Sequence, residues 1–221
     1  MTTDRAVLCS VAGLCWWARA LKRGIDVIAA LVLLLVTLPL LVAAVVAIRL
    51  TSPGPALFRQ RRLGTRGRPF TLYKLRTMAL DTCDAVHQAY VADLIGGRAQ
   101  PINGVFKLGR DQRVTLVGAL LRRYSIDELP QLWNVLRGDM SLVGPRPPLP
   151  REAALYDARM WERLQVKPGL TGLWQVSGRC KLSFDEMVEL DLRYARSWSV
   201  WLEIKILMRT PLAVMSGTGA R

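Results

Sequence analysis

The apolar run over residues 25–48 constrains this chain more than any other feature; it reads IDVIAALVLLLVTLPLLVAAVVAI. A helix over the run would be about 36 Å long, and the hydrocarbon core of a bilayer is about 30 Å thick. A membrane-spanning helix is therefore the simplest prediction. Pro39 argues against it, because a proline inside a helix breaks or kinks it and leaves two halves that are each too short to cross.

The charges around this run favour a second topology. Basic residues flank it on both sides: Arg19, Lys22 and Arg23 precede it, and Arg49, Arg59, Arg61, Arg62, Arg66 and Arg68 follow it. Because positively charged flanks stay on the cytoplasmic side, both ends of the run are expected on that side. A re-entrant helix–break–helix satisfies the proline and the charges together. We favour it over a span, although Pro-kinked spanning helices also occur.

The overall charge restricts the partners that the chain can bind. It carries a net charge of +14, yet 51% of its residues are hydrophobic. This combination suits a protein that lies against an anionic bilayer and binds anionic substrates. It is not typical of a nucleic-acid-binding protein, in which the apolar run would have no role.

The cysteines and the single histidine restrict the metal chemistry. Cys9, Cys15, Cys83 and Cys180 have no CxxC spacing, which predicts free cytosolic thiols and no zinc site. His87 alone excludes a multi-histidine site. Any metal is therefore expected to be a hard cation that carboxylates and phosphates bind.

Residues 122–147, RRYSIDELPQLWNVLRGDMSLVGPRP, contain the densest group of candidate functional residues. A proline is tolerated in the first turn of a helix, so Pro130 predicts a helix with Asp127 as its N-cap and Gly138 as its end. An apolar stripe with helical spacing supports this helix: Leu129, Leu132, Trp133 and Leu136.

This arrangement places Asp127 and Glu128 at the positive end of a helix dipole, with arginines before and after them. Such a site suits a phosphate or pyrophosphate bound with magnesium. The local pattern alone favours a plainer interpretation, in which Asp127 caps the helix and Glu128 is a surface acid. Ser125 and Glu128 even have the spacing of a capping box.

Three segments together resemble a known family: SIDELPQLWNVLRGDMSLVGPRP, KPGLTGLWQVSGR downstream of it, and FTLYKLRTM upstream. In this order they resemble the bacterial monotopic phosphoglycosyl transferases, and the resemblance extends from about Lys22 to the C-terminus. Members of that family transfer a sugar-1-phosphate from a nucleotide sugar to undecaprenyl phosphate. They are also known for a re-entrant membrane hairpin, so the resemblance implies the same topology here.

The chemistry of the acceptor suggests how a carboxylate would act. The second pKa of a phosphomonoester is about 6, so a general base has little to remove and a carboxylate is more useful as a nucleophile. The resemblance implies that Asp127 attacks the β-phosphate of a UDP-sugar, releases UMP and forms a covalent phosphosugar–aspartate intermediate. It implies that Glu128 acts beside it as a ligand of Mg²⁺. It also implies four basic side chains that bind the substrate phosphates: Lys74, Arg76, Arg122 and Arg146.

The expected fold is mainly α with a small β-hairpin, in which a re-entrant membrane helix-break-helix and amphipathic interface helices surround a compact catalytic domain on the cytosolic face. We divide the chain into an N-terminal interfacial segment (1–21), a re-entrant hairpin (22–50) and a catalytic domain (51–221). The β-hairpin is predicted around LGTRGRP, residues 63–69, on the membrane surface. Four arginines near this loop are expected to contact lipid headgroups: Arg61, Arg62, Arg66 and Arg68. Lys74 and Arg76 alternate with Leu75 and are expected on one face.

Four further segments have weaker signals. Residues 81–105 predict a short helix and a flexible loop, and residues 166–179 predict a tight glycine-rich loop against the site. Ser183 and Glu186 form a predicted capping box. The amphipathic segment 198–209 lies either in the headgroup layer or in the core. Asp191 is a weaker candidate for the site.

The sequence therefore predicts a phosphoglycosyl transferase on the cytoplasmic face of the bacterial inner membrane, with a UDP-sugar, undecaprenyl phosphate and an anionic lipid bilayer as partners. Its reaction would begin the membrane stage of exopolysaccharide, capsule or O-antigen synthesis. The alternative is a non-catalytic basic adaptor that binds anionic lipids. That alternative explains the charge, but it gives no reason for two adjacent carboxylates between arginines.

Overall fold

The computed structural model describes residues 16–79, 85–101, 104–106 and 113–215, with only the backbone of 85–87. Its helices are α1 Trp16–Thr51, α2 Ala85–Ile95, α3 Leu116–Arg123, α4 Gln131–Arg137, α5 Pro150–Ala153, α6 Ala158–Glu162, α7 Leu173–Ser177, α8 Phe184–Arg196 and α9 Val200–Met215. Its strands are β1 Leu57–Leu63, β2 Pro69–Leu75, β3 Ser141–Val143 and β4 Gly169–Thr171. This part of the chain is mainly helical with small sheets, as the sequence predicted.

Several predictions lie outside the described residues. Residues 1–15, Cys83 and the side chain of His87 are among them, as are residues 81–84 of the segment 81–105. Within the described part, Trp16 to Leu21 form the first turns of α1. Cys180 makes no disulfide with the other described residues.

Helix α1 is one continuous helix of 36 residues, and Pro39 lies inside it. The interruption expected at Pro39 is therefore not seen. Just before the proline, the Thr37 hydroxyl donates to the carbonyl of Leu33 at 2.7 Å, within the preceding turn of the helix. Among the described residues, α1 is the one helix that is long and apolar enough to cross a membrane, and 11% of its most apolar window is buried by the rest of the chain.

Both halves of α1 pack against the rest of the chain. In the first half, Ala30 is buried in the main hydrophobic core, and Leu34 packs against that core. In the second half, Ala44 and Ile48 are buried in a second cluster with Leu75. Both ends of this apolar helix are therefore held by one folded unit.

The described strands form two small two-stranded sheets, a hairpin and a pair of strands from separate parts of the sequence. Strands β1 and β2 are antiparallel, with Leu57 opposite Leu75 and Leu63 opposite Pro69. The short turn between them, Thr65–Gly67, contains Arg66 at φ 55°. This confirms the predicted hairpin, whereas its position on the membrane surface stays a prediction. Strands β3 and β4 pair in parallel, with Ser141 opposite Gly169.

One arginine of the hairpin does not match its predicted environment. Arg62 was expected to contact lipid headgroups, but it is buried, with 9% of its surface exposed. Its Nη1 donates to the carbonyl of Pro147 at 2.9 Å. The expectation is wrong because the segment that follows β3 covers this face of β1.

Helices α8 and α9 bear on two predictions, the capping box at Ser183 and the amphipathic segment 198–209. Ser183 and Glu186 cap α8 reciprocally, as predicted. In α9, Glu203 and Ile206 are buried, and Leu202 packs against the core. Another face of α9 carries exposed apolar side chains: Trp201, Ile204, Met208, Leu212 and Met215. Core packing and an exposed apolar surface are therefore both present, on different faces of the helix.

Candidate functional site

The turn that carries the two adjacent carboxylates differs from its prediction. Ile126–Glu128 form a single 3₁₀ turn, and α4 begins at Gln131 after Pro130. The predicted N-cap role of Asp127 is therefore wrong, because this separate turn, entered through Ser125 at φ 55°, stands between Asp127 and the helix. The Ser125 side chain makes no capping hydrogen bond either. Gly138 ends α4 at φ 88°, as predicted.

The buried face of α4 is also rotated from the predicted stripe. Leu132 is fully buried, but 52% of Trp133 is exposed. Asn134 is buried instead, and its amide accepts from the backbone N–H of Tyr73 at 3.1 Å and donates to the carbonyl of Thr71 at 2.7 Å. These two hydrogen bonds attach α4 to β2. They fix the strand just before Lys74.

Glu128 lies between two cations. Its Oε1 atom is 2.7 Å from Nζ of Lys74 and 3.4 Å from Nη1 of Arg146. Burial alone would raise the pKa of Glu128, but Lys74 and Arg146 overcome this and lower it to about 2. Burial lowers the pKa of Lys74, although Glu128 opposes that shift. Glu128 is therefore a fixed anion at physiological pH.

Asp127 has a different environment. It is buried, with 8% of its surface exposed, and both burial and the charge of Glu128 raise its pKa. Lys74, Arg122 and Arg146 oppose that rise. The Nε atom of Arg122 donates to the hydroxyl of Thr77 at 2.9 Å, which orients its guanidinium. The structure thus brings together five of the six predicted residues.

Arg76 is the predicted site residue that the structure places elsewhere. Its Nη2 atom donates to the carbonyl and the hydroxyl of Ser52 at 2.9 and 2.8 Å, and its Nη1 donates to the carbonyl of Pro53. Strand β2 ends at Leu75, so the alternation that would place Arg76 beside Lys74 does not continue. In this structure Arg76 connects the end of β2 to the end of α1.

Arg146 is positioned by a close approach of two loops. A Cβ atom on Gly144 would lie 2.4 Å from the carbonyl oxygen of Lys167, and one on Gly169 would lie 2.0 Å from the backbone nitrogen of Gly144. The N–H of Gly169 donates to the carbonyl of Pro145 at 2.9 Å. Only glycines fit at this contact. Residues 166–179 were predicted to form a tight loop; they form β4 and α7 instead, and the close packing is at Gly169.

At or near a cavity beside Glu128 lie two basic residues that were not predicted for the site, Arg62 and Arg179. The cavity is lined by Arg62, Leu72, Lys74, Glu128, Gln131, Arg146, Pro147, Gly169, Leu170 and Gln175. Arg179 lies near it: its Nε donates to the carbonyl of Gln175 at 3.1 Å, and burial lowers its pKa while Glu128 opposes that change. Arg179 closes the motif KPGLTGLWQVSGR, a signal that could have identified it. The burial of Arg62 had no such signal.

The carboxylates suit only one kind of metal site. Within the described ranges, no three His, Cys, Asp or Glu side chains lie close enough to enclose an ion. Magnesium usually takes one or two carboxylates and completes its octahedron with water and substrate phosphates. Asp127 and Glu128 fit that donor set, beside cations that would bind the same phosphates.

Asp191, the weaker candidate, is not in this cluster. It is 1% exposed, and its Oδ2 atom is 2.6 Å from Nη2 of Arg163. Burial raises the pKa of Asp191 to about 6, against the effect of Arg163. This buried ion pair attaches α8 to the turn that precedes β4.

A family model for bacterial sugar transferases matches residues 17–217. The chain belongs to the bacterial sugar transferase family. The resemblance that the motifs indicated is thereby confirmed. The match covers α1 from Trp17 onwards as well as every residue of the cluster around Glu128.

Three curated members of the family show how much of the chain is shared. It is 46% identical over 211 residues to the UDP-glucose:undecaprenyl-phosphate glucose-1-phosphate transferase of Caulobacter vibrioides, covering 90% of this chain and 71% of the relative. It is 44% identical over 206 residues to the galactosyl transferase CpsE of Streptococcus agalactiae, covering 90% and 43%. It is 39% identical over 199 residues to the exopolysaccharide production protein ExoY of Rhizobium meliloti, covering 90% and 87%. The chain spans less than half the length of several curated relatives that it matches.

Proposed function

We propose that this protein transfers a sugar-1-phosphate from a UDP-sugar to undecaprenyl phosphate, releases UMP, and so begins the membrane stage of glycoconjugate synthesis. The observation that carries the proposal is the group of Lys74, Glu128 and Arg146 beside the buried carboxyl of Asp127. The substrates are supported by the name of the Caulobacter relative, which is a UDP-glucose:undecaprenyl-phosphate glucose-1-phosphate transferase.

The reaction has two displacements at one phosphorus atom. First, a carboxylate oxygen of Asp127 attacks the β-phosphorus of the UDP-sugar; the bond to the bridging oxygen breaks, and UMP leaves with that electron pair. Then an oxygen of undecaprenyl phosphate attacks the same phosphorus, and the Asp127 carboxylate leaves unchanged. The first step requires the ionised form of Asp127. The second needs no proton transfer, because the acceptor phosphate is ionised near neutral pH.

The surrounding cations offset the charge that accumulates during these steps. Lys74, Arg122 and Arg146 lie near the carboxylates and would bind the phosphate oxygens. Glu128, an anion throughout the working pH range, would hold Mg²⁺ together with the substrate phosphates, and the ion would neutralise the diphosphate as its bond breaks. Arg76 stays a predicted phosphate ligand, although its guanidinium contacts Ser52 and Pro53 at the end of α1.

The location that fits this chemistry is the cytoplasmic face of the bacterial inner membrane, with α1 as a re-entrant anchor. The packing of both halves of α1 on one folded unit supports this, because the domain then stays on one side. The net charge of +14 supports contact with anionic lipids. The lipid phosphate and the cytosolic sugar nucleotide would then meet at one depth.

A non-catalytic adaptor is less consistent with the site. An adaptor that binds lipid headgroups needs exposed cations, whereas Lys74 is mostly buried against Glu128. Burying Lys74 and Glu128 costs desolvation energy, and binding to lipid headgroups does not require a buried pair.

Replacement of the nucleophile tests the mechanism. We expect Asp127→Asn to reduce UMP release by at least about a thousandfold, because the amide oxygen is a poor nucleophile. We also expect the variant to form no phosphosugar adduct when it is incubated with UDP-sugar alone and measured by intact-protein mass spectrometry. Screening several UDP-sugars in the same assay would identify the donor.

A matched control is Asp185→Asn, which makes the same chemical change at an exposed position in the first turn of α8. It should retain UMP release and the adduct. Turnover by Asp127→Asn at near the wild-type rate would show that another residue is the nucleophile.

A further inference from the structure

Arg62 and Gln60 project from one face of β1, and Arg62 lines the cavity beside Glu128. They are two residues apart, so their side chains lie on the same side of the strand. Gln60 is opposite Leu72 in the hairpin, and Leu72 and Arg62 both line that cavity. Arg61, between them, is exposed on the other face. The sequence RQRR therefore contains arginines in two different environments.

The guanidinium of Arg62 is held in a fixed orientation. Its Nε and Nη2 atoms donate to Oε1 of Gln60 at 2.9 and 2.7 Å, and its Nη1 donates to the carbonyl of Pro147 at 2.9 Å. A guanidinium has five N–H donors, so these bonds leave two for a ligand. A side chain that only joined β1 to Pro147 would not need a second residue to fix its plane.

The charges around the cavity are unbalanced. Among the described residues that line it, Arg62, Lys74 and Arg146 are cationic, and Glu128 alone is acidic. Glu152 lies outside the lining, with its Oε2 atom 3.8 Å from Nη1 of Arg62. Burial and then the nearby charge of Arg146 lower the pKa of Arg62 to about 10. Glu152 and Glu128 oppose that shift, but the lining still has more cations than anions, which favours a further anion there.

We propose that Arg62 binds the diphosphate of the nucleotide-sugar donor together with Arg146, and that Gln60 is the residue that positions it. This inference rests on the proposed function and adds to it the donor contact that the sequence did not predict. Because Gln60 holds the Nε and Nη2 atoms of the planar guanidinium, its remaining N–H groups can reach phosphate oxygens only from a fixed direction.

The test compares two ligands that differ only in the diphosphate. Binding of UDP and of uridine to the full-length protein in detergent is measured by isothermal titration calorimetry. We expect Arg62→Met to weaken UDP binding by about 10- to 100-fold, the loss typical of a charge-assisted contact, with uridine binding unchanged. Arg62→Lys keeps the charge but loses the fork, and should recover part of the UDP affinity. Should Arg62→Met not fold, Arg62→Lys alone should still weaken UDP binding selectively.

Two further variants separate binding from a purely structural role. Arg61→Met removes the same charge from the same strand and should leave the ratio of UDP to uridine affinity unchanged. Gln60→Met should weaken UDP binding less than Arg62→Met, and the double variant should lose no more than Arg62→Met alone, because Gln60 acts through Arg62.

The outcomes distinguish this inference from the function on which it rests. Wild-type protein that binds UDP no more tightly than uridine would overturn both. Wild-type protein that prefers UDP, with the same preference retained in Arg62→Met and Arg62→Lys, would overturn the role of Arg62 and leave the proposed function standing.

Discussion

Asp127 and Glu128 are adjacent in sequence, yet their pKa values shift in opposite directions. Lys74 and Arg146 contact Glu128 and lower its pKa to about 2, in spite of its burial. Asp127 is buried beside the negative charge that Glu128 carries, so its own pKa is raised. Two carboxylates with separated pKa values are suited to different tasks. Glu128, which stays ionised, is suited to bind a metal ion, and Asp127, whose pKa is raised, is suited to act as a nucleophile.

This difference predicts a pH dependence that Arg122 controls. In the proposed mechanism Asp127 attacks only when it is ionised, so activity should fall as the pH drops through its pKa. Arg122 lowers that pKa. We therefore expect Arg122→Met to raise the pKa of Asp127 and move the acidic limb of the pH–rate profile to higher pH, measured as UMP release under saturating substrates.

The position of the limb, rather than the maximal rate, is the informative quantity, because Arg122 is also expected to bind phosphate. Arg123→Met removes the neighbouring exposed arginine, which lies 5.6 Å from the ring of Tyr124 and should leave the limb in place. If the limb of Arg122→Met coincides with that of the wild type, the titrating group is not Asp127.

The motifs predicted which residues lie together only in part: Lys74, Glu128 and Arg146 do, whereas Arg76, from the same motif as Lys74, contacts Ser52. Lys74, Glu128 and Arg146 come from three parts of the chain, and the family motifs identified all of them. Arg62 could not be found in this way, because its burial depends on Pro147, which is 85 positions away. A pattern of basic residues near a turn gives no information about such a contact, and it favours lipid headgroups.

At the scale of elements, a buried polar network attaches α1 to the domain. Nζ of Lys22 donates to the hydroxyl of Ser141 at 2.8 Å and to the carboxylate of Glu203. Asp26 accepts from that hydroxyl and from the N–H of Leu142, each at 3.0 Å. Ser141 and Leu142 belong to β3, which leads directly to the segment of Arg146. The membrane helix thus holds the strand that positions a site residue.

The network predicts a large loss of stability from one substitution. In Lys22→Met, the carboxylates of Asp26 and Glu203 lose their buried cation, so we expect the free energy of unfolding to fall by about 3–5 kcal/mol. Urea unfolding in detergent, followed by tryptophan fluorescence, measures this value. Lys205→Met replaces an exposed lysine of α9 and should change it by about 0.5 kcal/mol or less. Equal losses in the two variants would mean that Lys22 does not hold α1 to the domain.

The sequence predicted most elements but not how they face each other. The hairpin, α8 with its capping box and the end of α4 at Gly138 follow from local signals of a few residues. The rotation of α4 does not, because Asn134 is buried by its hydrogen bonds to β2. In the same way, Lys22 was predicted only as part of a basic flank, whereas tertiary contacts bury it together with Asp26.

For the whole molecule, the distribution of exposed apolar surface shows which parts can meet lipid. The exposed apolar side chains of α1 include Ile28, Leu35, Val36, Val42 and Val46. Helix α3 adds Leu116 and Leu120. Helix α9 adds the exposed residues from Trp201 to Met215 described above. A soluble monomer rarely exposes apolar surface on this scale. These helices are therefore the surfaces that a bilayer would cover.

The topology of α1 is the prediction that belongs to the whole molecule. Lys22 and Ile48 both contact the same folded unit, although a straight helix would separate them by about 39 Å, more than a bilayer core of about 30 Å. A helix that crossed the membrane would leave one of its ends on the face opposite the domain. We therefore expect both ends on the cytoplasmic side. A single cysteine at position 2, in Thr2→Cys with the four native cysteines replaced by serine, should react with a membrane-impermeant maleimide only after permeabilisation.

The labelling needs a reference of known exposure and an intact enzyme. Arg61→Cys in the same cysteine-free background places a thiol at an exposed position of β1 and should also react only after permeabilisation. Both variants should keep UMP release, which shows that the anchor is correctly inserted. Reaction of position 2 in intact cells, with Arg61→Cys still protected, would show that α1 spans the membrane. The contacts of Lys22 with Ser141 and Glu203 would then have to be absent in the bilayer, and the position of Arg146 would no longer depend on α1.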